Sequence, residues 1–145
     1  MSLASVFQTA RSGMSAATAM VDAVSHNLAN SRTNGYKASR PVYATQGTSS
    51  HGRESSLRVG MGVQVVGFVT DYSQGPLVVS RAEAGWGDEG ESWVGDGLVE
   101  LSNTDVGESL VDLILASEQF LANANVLDTA GGLLDELVYL GRGRD

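Results

Sequence analysis

The feature that most constrains this chain is the stretch from Val106 to Val138. Val106, Leu110, Leu113, Ser117, Phe120, Ala124, Leu127, Gly131, Leu134 and Val138 recur at spacings of four and three, the heptad seam of a helix that lies lengthwise on another helix. At about 1.5 Å per residue such a helix is roughly 50 Å long. That is long for a chain of 145 residues, and it implies a part that spans something rather than a segment folded into a compact enzyme.

A partner is present at the other end. Leu3, Val6, Ala10, Gly13, Ala17, Met20, Val24 and Asn27 form a second seam at spacings of three and four. Its middle positions are very small, so two backbones can approach closely there while burying little apolar surface. Gly13 weakens the first helix, and Gly131-Gly132 costs the second on the order of 2 kcal/mol relative to alanine. A straight C-terminal helix is therefore in doubt beyond Ala130. An isolated hairpin of this kind is marginal, and the expectation is that neighbouring subunits complete its helices and that these helices are largely disordered in the free monomer.

Between the helices the signals are β-like and turn-like. Asn34-Gly35 tolerates positive φ and redirects the chain into an extended segment, Tyr36 to Tyr43, where Pro41 marks an edge strand or an irregularity. Residues 46–60 read as a mobile polar loop. Met61 to Tyr72 is the best strand, with Val63, Val65, Val66, Phe68 and Val69 as β-formers, and Gly60 and Gly62 mark a turn or bulge at its start. After the turn Ser73-Gln74-Gly75-Pro76, Leu77-Val78-Val79 reads as a short returning strand. Asp105, with Glu108 three residues later, is an N-cap for the C-terminal helix. The expected class is α+β, with long terminal helices paired as a coiled-coil hairpin and a small β-rich middle. The expected organisation is 1–34 N-terminal assembly helix, 35–101 β-rich and loop region, and 102–145 C-terminal assembly helix, the two helices forming one α domain.

Charge narrows the function. The net charge of −8 argues against a nucleic-acid partner, which needs Lys and Arg on a common face. Residues 1–81 carry a balance of +4 and residues 82–145 a balance of −12, so one end of a subunit attracts the opposite end of itself or of a neighbour. The chain has no Cys, which leaves neither disulfides nor thiolate metal sites. No uninterrupted run of some 18 apolar residues and no standard secretory signal are found, so neither membrane insertion nor cleavable-signal export is expected.

Catalysis has little to stand on. Asp22 and His26 share a helical face, but no nucleophile is in pattern with them. Gly60-Met61-Gly62 lacks the ending of a phosphate loop. Asp88, Glu89, Glu91 and Asp96 lie beside Trp86 and Trp93 in an acidic, glycine-rich stretch. That stretch supports an alternative reading, a non-catalytic binding module for calcium or glycan, although its spacing does not match the twelve-residue calcium loop. No enzyme activity, cofactor or metal is expected.

The two ends carry a resemblance. Ala16 to Lys37, and above all Ser25-His26-Asn27-Leu28-Ala29-Asn30-Ser31-Arg32-Thr33-Asn34-Gly35-Tyr36-Lys37, resembles the rod signature of the flagellar basal-body rod and hook axial proteins. Leu101-Ser102-Asn103-Thr104-Asp105-Val106 with Glu108, Leu110, Val111, Ile114 and Ala122-Asn123-Ala124-Asn125-Val126-Leu127 is similar to that family's closing helix. Gly62-Val63-Gln64-Val65 and Tyr72-Ser73-Gln74-Gly75-Pro76-Leu77 resemble a strand and turn of its hook and distal-rod branches. Only some twenty-four residues separate Pro76 from Leu101, which resembles the short, proximal-rod members.

The resemblance implies a structural subunit that stacks helically into a hollow, torque-transmitting tube, with itself and other axial proteins as partners. It also implies export through the flagellar type III apparatus without a cleavable signal, and a place in the periplasm-spanning rod. The motif match carries over Asn27, Asn30, Gly35, Tyr36, Asn103, Asp105, Ala122 and Asn123 as packing and turn residues. The seams add Val6, Met20, Val24, Leu110, Leu113, Phe120, Leu127 and Leu134 as expected assembly positions.

Overall fold

A computed structural model describes residues 3–49, 59–80 and 97–142. Among the described residues two helices, α1 (Leu3–Ala29) and α2 (Val106–Arg142), flank in chain order six short strands, β1 (Ser39–Thr45), β2 (Thr48–Ser49), β3 (Val59–Gly60), β4 (Val63–Thr70), β5 (Leu77–Ser80) and β6 (Gly97–Glu100). The strands pair antiparallel as β1 with β4, β2 with β3, and β5 with β6. The acidic stretch with both tryptophans, on which the calcium or glycan reading rests, lies outside the described residues.

α1 stops where side chains replace its missing backbone partners. The Asn30 amide donates to the His26 carbonyl at 2.9 Å and the Ser31 hydroxyl to that of Leu28 at 2.8 Å, satisfying acceptors that a helix end leaves orphaned. Gly35 then takes φ of 69°, a conformation that costs glycine nothing, and the chain turns into β1. Ser39 pairs with Thr70 and Thr45 with Val63, with a register shift between Val42 and Tyr43. Pro41 is tolerated because a two-stranded ladder is all edge. The Gln46 amide donates to the Gly62 carbonyl at 2.8 Å, so β2 and β3 continue the same hairpin beyond a kink. Gly62 at φ of 104° forms that kink and rests on α1, where the Ser12 hydroxyl accepts from the Val63 amide at 3.1 Å.

Three sequence expectations need correction. β5 returns not onto β4 but onto β6, with Leu77 opposite Glu100 and Ser80 opposite Gly97, a pairing that spans sixteen intervening residues and leaves no local mark in the sequence. The segment 46–60 is in part the β2–β3 ladder. α2 begins at Val106, as the Asp105 cap implies, but it runs unbroken through Gly131-Gly132 to Arg142, where the sequence put a straight helix in doubt beyond Ala130. Helix propagation adds a bond for each residue fixed, so a glycine pair inside a long helix lowers stability without ending it.

The helices run antiparallel. Gly13 of α1 faces the Asn123 side chain, and Leu3 and Val6 share a groove of about 310 Å³ with Val126, Ala130 and Leu133 of α2. The α1 seam is as read: Ala10, Ala17, Val24 and Asn27 are buried. The α2 seam is rotated. Its half-buried or marginal positions Leu113, Phe120, Leu127 and Leu134 agree with the sequence reading, but the column that packs deepest is Ser109, Ala116, Asn123 and Ala130, while Ala124 and Gly131 stay half-buried beside it and Leu110 and Ser117 are exposed. That is a turn of roughly 50° about the helix axis. Small residues on both helices let the backbones approach, and alanines dominate the core for that reason. No large side chain is fully buried among the described residues.

Candidate functional site

Where the chain ends meet, the end of α1, the start of β1, the exit of β4 and the lead-in to α2 converge on two asparagines. Asn27, on the last turns of α1, accepts from the Ser39 amide at 2.9 Å and donates to the Ser39 carbonyl at 2.8 Å. Its side-chain amide thus pairs with the free edge of β1 as a neighbouring strand would. The Tyr36 hydroxyl donates to the same Asn27 oxygen at 3.0 Å.

Asn103 performs the equivalent task at the end of the β1–β4 ladder. It accepts from the Ala38 amide at 2.7 Å and donates to the Asp71 carbonyl at 2.8 Å, while the Asp71 amide donates to the Ala38 carbonyl at 2.8 Å. The ladder is closed by a side chain that carries one donor and one acceptor in the geometry of a peptide.

Charge holds the same junction. Lys37 Nζ donates to Glu100 Oε1 at 2.6 Å and to the Ser73 carbonyl at 2.7 Å, and the Gly75 amide donates to the same Glu100 oxygen at 2.7 Å. The Gly35 amide donates to the Glu100 carbonyl at 2.8 Å. Arg40 of β1 reaches Glu108 at 2.5 Å and Asp112 at 3.6 Å on α2. Asp105 caps α2 by accepting from the Glu108 amide at 3.1 Å, as its position implies, but the Glu108 carboxylate is taken by Arg40. Each of these ion pairs joins the basic first part of the chain to the acidic second part within one subunit.

The junction surrounds a cleft of about 390 Å³ lined by Arg40, Asp71, Asp105, Glu108 and Asp112, among others. Among the described residues no group of three or more potential ligands is placed to hold a metal ion. Lys37 and the Gly75 amide hold the Glu100 carboxyl below its ordinary range, and hydrogen bonds from Ser73 do the same for Asp71. The guanidinium of Arg40 is raised by its bond to Glu108. Both carboxylates bind a proton more weakly folded than unfolded, so their stabilisation is complete above the ordinary carboxylate range and is lost as pH falls through the lowered folded values. Thermal melts are expected to be flat near neutrality and to weaken on acidification below about pH 4. Glu100→Gln should flatten that acid slope; an unchanged profile would show that the Glu100 contacts contribute nothing to it.

Of the residues singled out in the sequence, Asn27, Asn30, Gly35, Tyr36, Asn103 and Asp105 all lie at this junction. Val6, Met20, Val24, Leu113, Asn123 and Leu127 are buried or half-buried, while Phe120 and Leu134 are each 38% exposed at the seam margin. Ala122 is exposed and sits off the seam. Leu110 is also off it, 46% exposed and turned away from α1. Sequence reasoning missed Lys37, Arg40 and Glu100 as individuals. Charge segregation was their only trace, and it names no pairs.

Comparison with known proteins agrees with this arrangement. Residues 7–37 match the family model described as flagella basal body rod protein, and residues 96–139 match the one described as flagellar basal body rod FlgEFG protein C-terminal. The two matches lie on α1 with its turn and on β6 with α2, the parts that meet at the junction. The chain is 25% identical to the flagellar basal-body rod protein FlgC of Borreliella burgdorferi over 99% of its own length and 100% of that protein. It is 35% identical to the flagellar hook protein FlgE of Escherichia coli K12, and equally to that of Salmonella typhimurium, over 48% of this chain but only 15% of those proteins. With both terminal modules present in order and a rod relative aligned from end to end, the chain belongs to the flagellar basal-body rod and hook family of axial proteins.

Proposed function

We propose that this chain is a structural subunit of the flagellar rod, a short member of the proximal type, which polymerises into a helical, torque-transmitting tube. The coarser statement, a structural flagellar axial subunit of the basal body, follows from the family. The finer one is supported by the end-to-end alignment with a short rod protein and the small coverage of the hook proteins.

The observation that carries the assembly reading is the surface of α2. Its contact with α1 uses small side chains, and its large ones lie elsewhere: Val111, Ile114, Leu115, Leu121, Val126 and Leu137 are between 46% and 62% exposed. A helix apolar on several faces is normally covered on several faces. By length and composition α2 is also apolar enough to cross a membrane, but it carries a stripe matched to α1, which a partner-seeking helix needs. We read residues 1–34 and 102–145 as assembly segments and 35–101 as the outward part. Itself and other axial proteins are its partners, the coiled-coil packing is completed between subunits, and the chain is exported through the flagellar type III apparatus without a cleavable signal into the periplasm-spanning rod.

Ile114→Glu combined with Leu121→Glu tests this reading. Neither side chain is buried in the subunit, so helix content and melting of the purified chain should stay within about 0.5 kcal/mol of the parent, while motility of cells carrying only the variant is lost. Normal swimming would sink the assignment of this face.

A further inference from the structure

Asn34-Gly35 is the one Asn-Gly step in the sequence, and its two halves are held very differently. The Asn34 side chain is exposed and has no hydrogen bond among the described residues. The Gly35 amide is committed to the Glu100 carbonyl at 2.8 Å, with the Gly35 backbone fixed at φ of 69° and the Tyr36 amide bonded to the Thr33 carbonyl at 3.2 Å. We propose that Asn34 is a site of spontaneous deamidation and that closure of the junction is what restrains it.

The step is an internal acyl transfer. The Gly35 amide nitrogen loses its proton to solvent base and bonds to Asn34 Cγ. The bond from Cγ to the side-chain nitrogen breaks, and ammonia leaves with a proton from solvent. Water then opens the resulting cyclic imide at either carbonyl, giving aspartate or isoaspartate at position 34 with no change of oxidation state. Glycine leaves the attacking nitrogen unhindered, and the free Asn34 amide is available as electrophile.

In the closed junction the nitrogen cannot attack. Its proton is held by the Glu100 backbone carbonyl, and turning the peptide toward Cγ breaks that bond and the turn beside it. The reaction therefore proceeds through a locally open state, and its rate follows the population of that state. Lys37 with Glu100 clamps the same segment from the other side. The product matters for the fold, because isoaspartate adds one carbon to the backbone immediately before Gly35, whose amide and positive φ close the junction. A chain that stays open long enough to react then closes poorly.

Peptide mapping by mass spectrometry of the full-length protein tests this at mildly alkaline pH. In urea, position 34 should gain the mass of one deamidation at the rate of a free peptide spanning residues 32–37. In native buffer the rate should be lower by at least about tenfold, equivalent to a tie of roughly 1.4 kcal/mol, and Glu100→Gln should fall between. Asn34→Ala should abolish the mass change in this peptide. Equal rates in urea and native buffer, no reaction in urea, or a Glu100→Gln rate as slow as the parent's would each overturn the proposal. None of these outcomes depends on whether the chain enters a rod.

Discussion

Gly75→Ala is expected to lose about 3 kcal/mol of stability, with a fall in melting temperature of roughly 10 °C. Gly75 is buried between β4 and β5, and a Cβ built on it would collide with the Leu101 carbonyl oxygen. That oxygen cannot yield cheaply. The Leu101 amide is bonded to the Pro76 carbonyl at 2.8 Å, and the preceding Glu100 carbonyl receives the Gly35 amide. Moving Leu101 would open the ring of bonds that joins the two ends of the chain, and it would also pull the Gly75 amide from Glu100. Gly47→Ala is the matched control, since a Cβ there meets nothing within 4 Å, and it should stay within about 0.5 kcal/mol. A Gly75→Ala chain that melts with the parent would mean that the close approach of Gly75 to Leu101 does not hold the junction.

Asn103→Ala should cost about 2–3 kcal/mol, because it strips partners from the Ala38 amide and the Asp71 carbonyl at once. Asn103→Asp separates the amide's two roles. It keeps an acceptor for Ala38 but sets a carboxylate against the carbonyl oxygens of Asp71 and Ser73, which the amide now reaches at 2.8 and 3.2 Å. The aspartate variant should be at least as unstable as the alanine variant at neutral pH. It should recover part of the loss on mild acidification, when a protonated carboxyl can donate again. Circular dichroism melts across pH check both. An aspartate variant as stable as the parent at neutral pH would remove Asn103 from the role of ladder closure.

Much of the chain was legible where the physics is local. The end of α1, the Asn34-Gly35 turn and the Asp105 cap each depend on groups within four residues of one another, so residue type and spacing suffice, and Gly62 is marked by residue type alone. The two seams are legible as periodicity, and on α1 one stripe stands out because polar residues mark its other face. On α2 it was displaced by half a step, since Leu110, Val111, Ile114 and Leu115 supply apolar side chains on neighbouring faces and several stripes fit equally well. The choice of Ser109, Ala116, Asn123 and Ala130 was made by the partner, whose small residues favour the closest approach.

The candidate site was legible in a different way. Tyr36 and Asn103 were found through resemblance, Asn27 also through the α1 seam and Asp105 also through its capping pattern, and nothing in their spacing told that two side-chain amides would stand in for strand neighbours. That role exists only when segments up to 65 residues apart are brought together. The pairing of β5 with β6 and the bonds from Lys37 to Glu100 and from Arg40 to Glu108 are of the same kind.

By itself, then, the sequence determined the end of α1 and the start of α2, the Asn34-Gly35 turn, the family and the attraction between a basic and an acidic part, because each is set by short-range geometry, by motif or by net charge. The tertiary structure alone decided which face of α2 meets α1, which carboxylate each cation takes, and how the long heptad helix from Val106 is anchored. Those outcomes turn on backbone separation, and a few ångströms of approach permitted by alanine and glycine select among stripes and partners that the order of residues leaves equivalent.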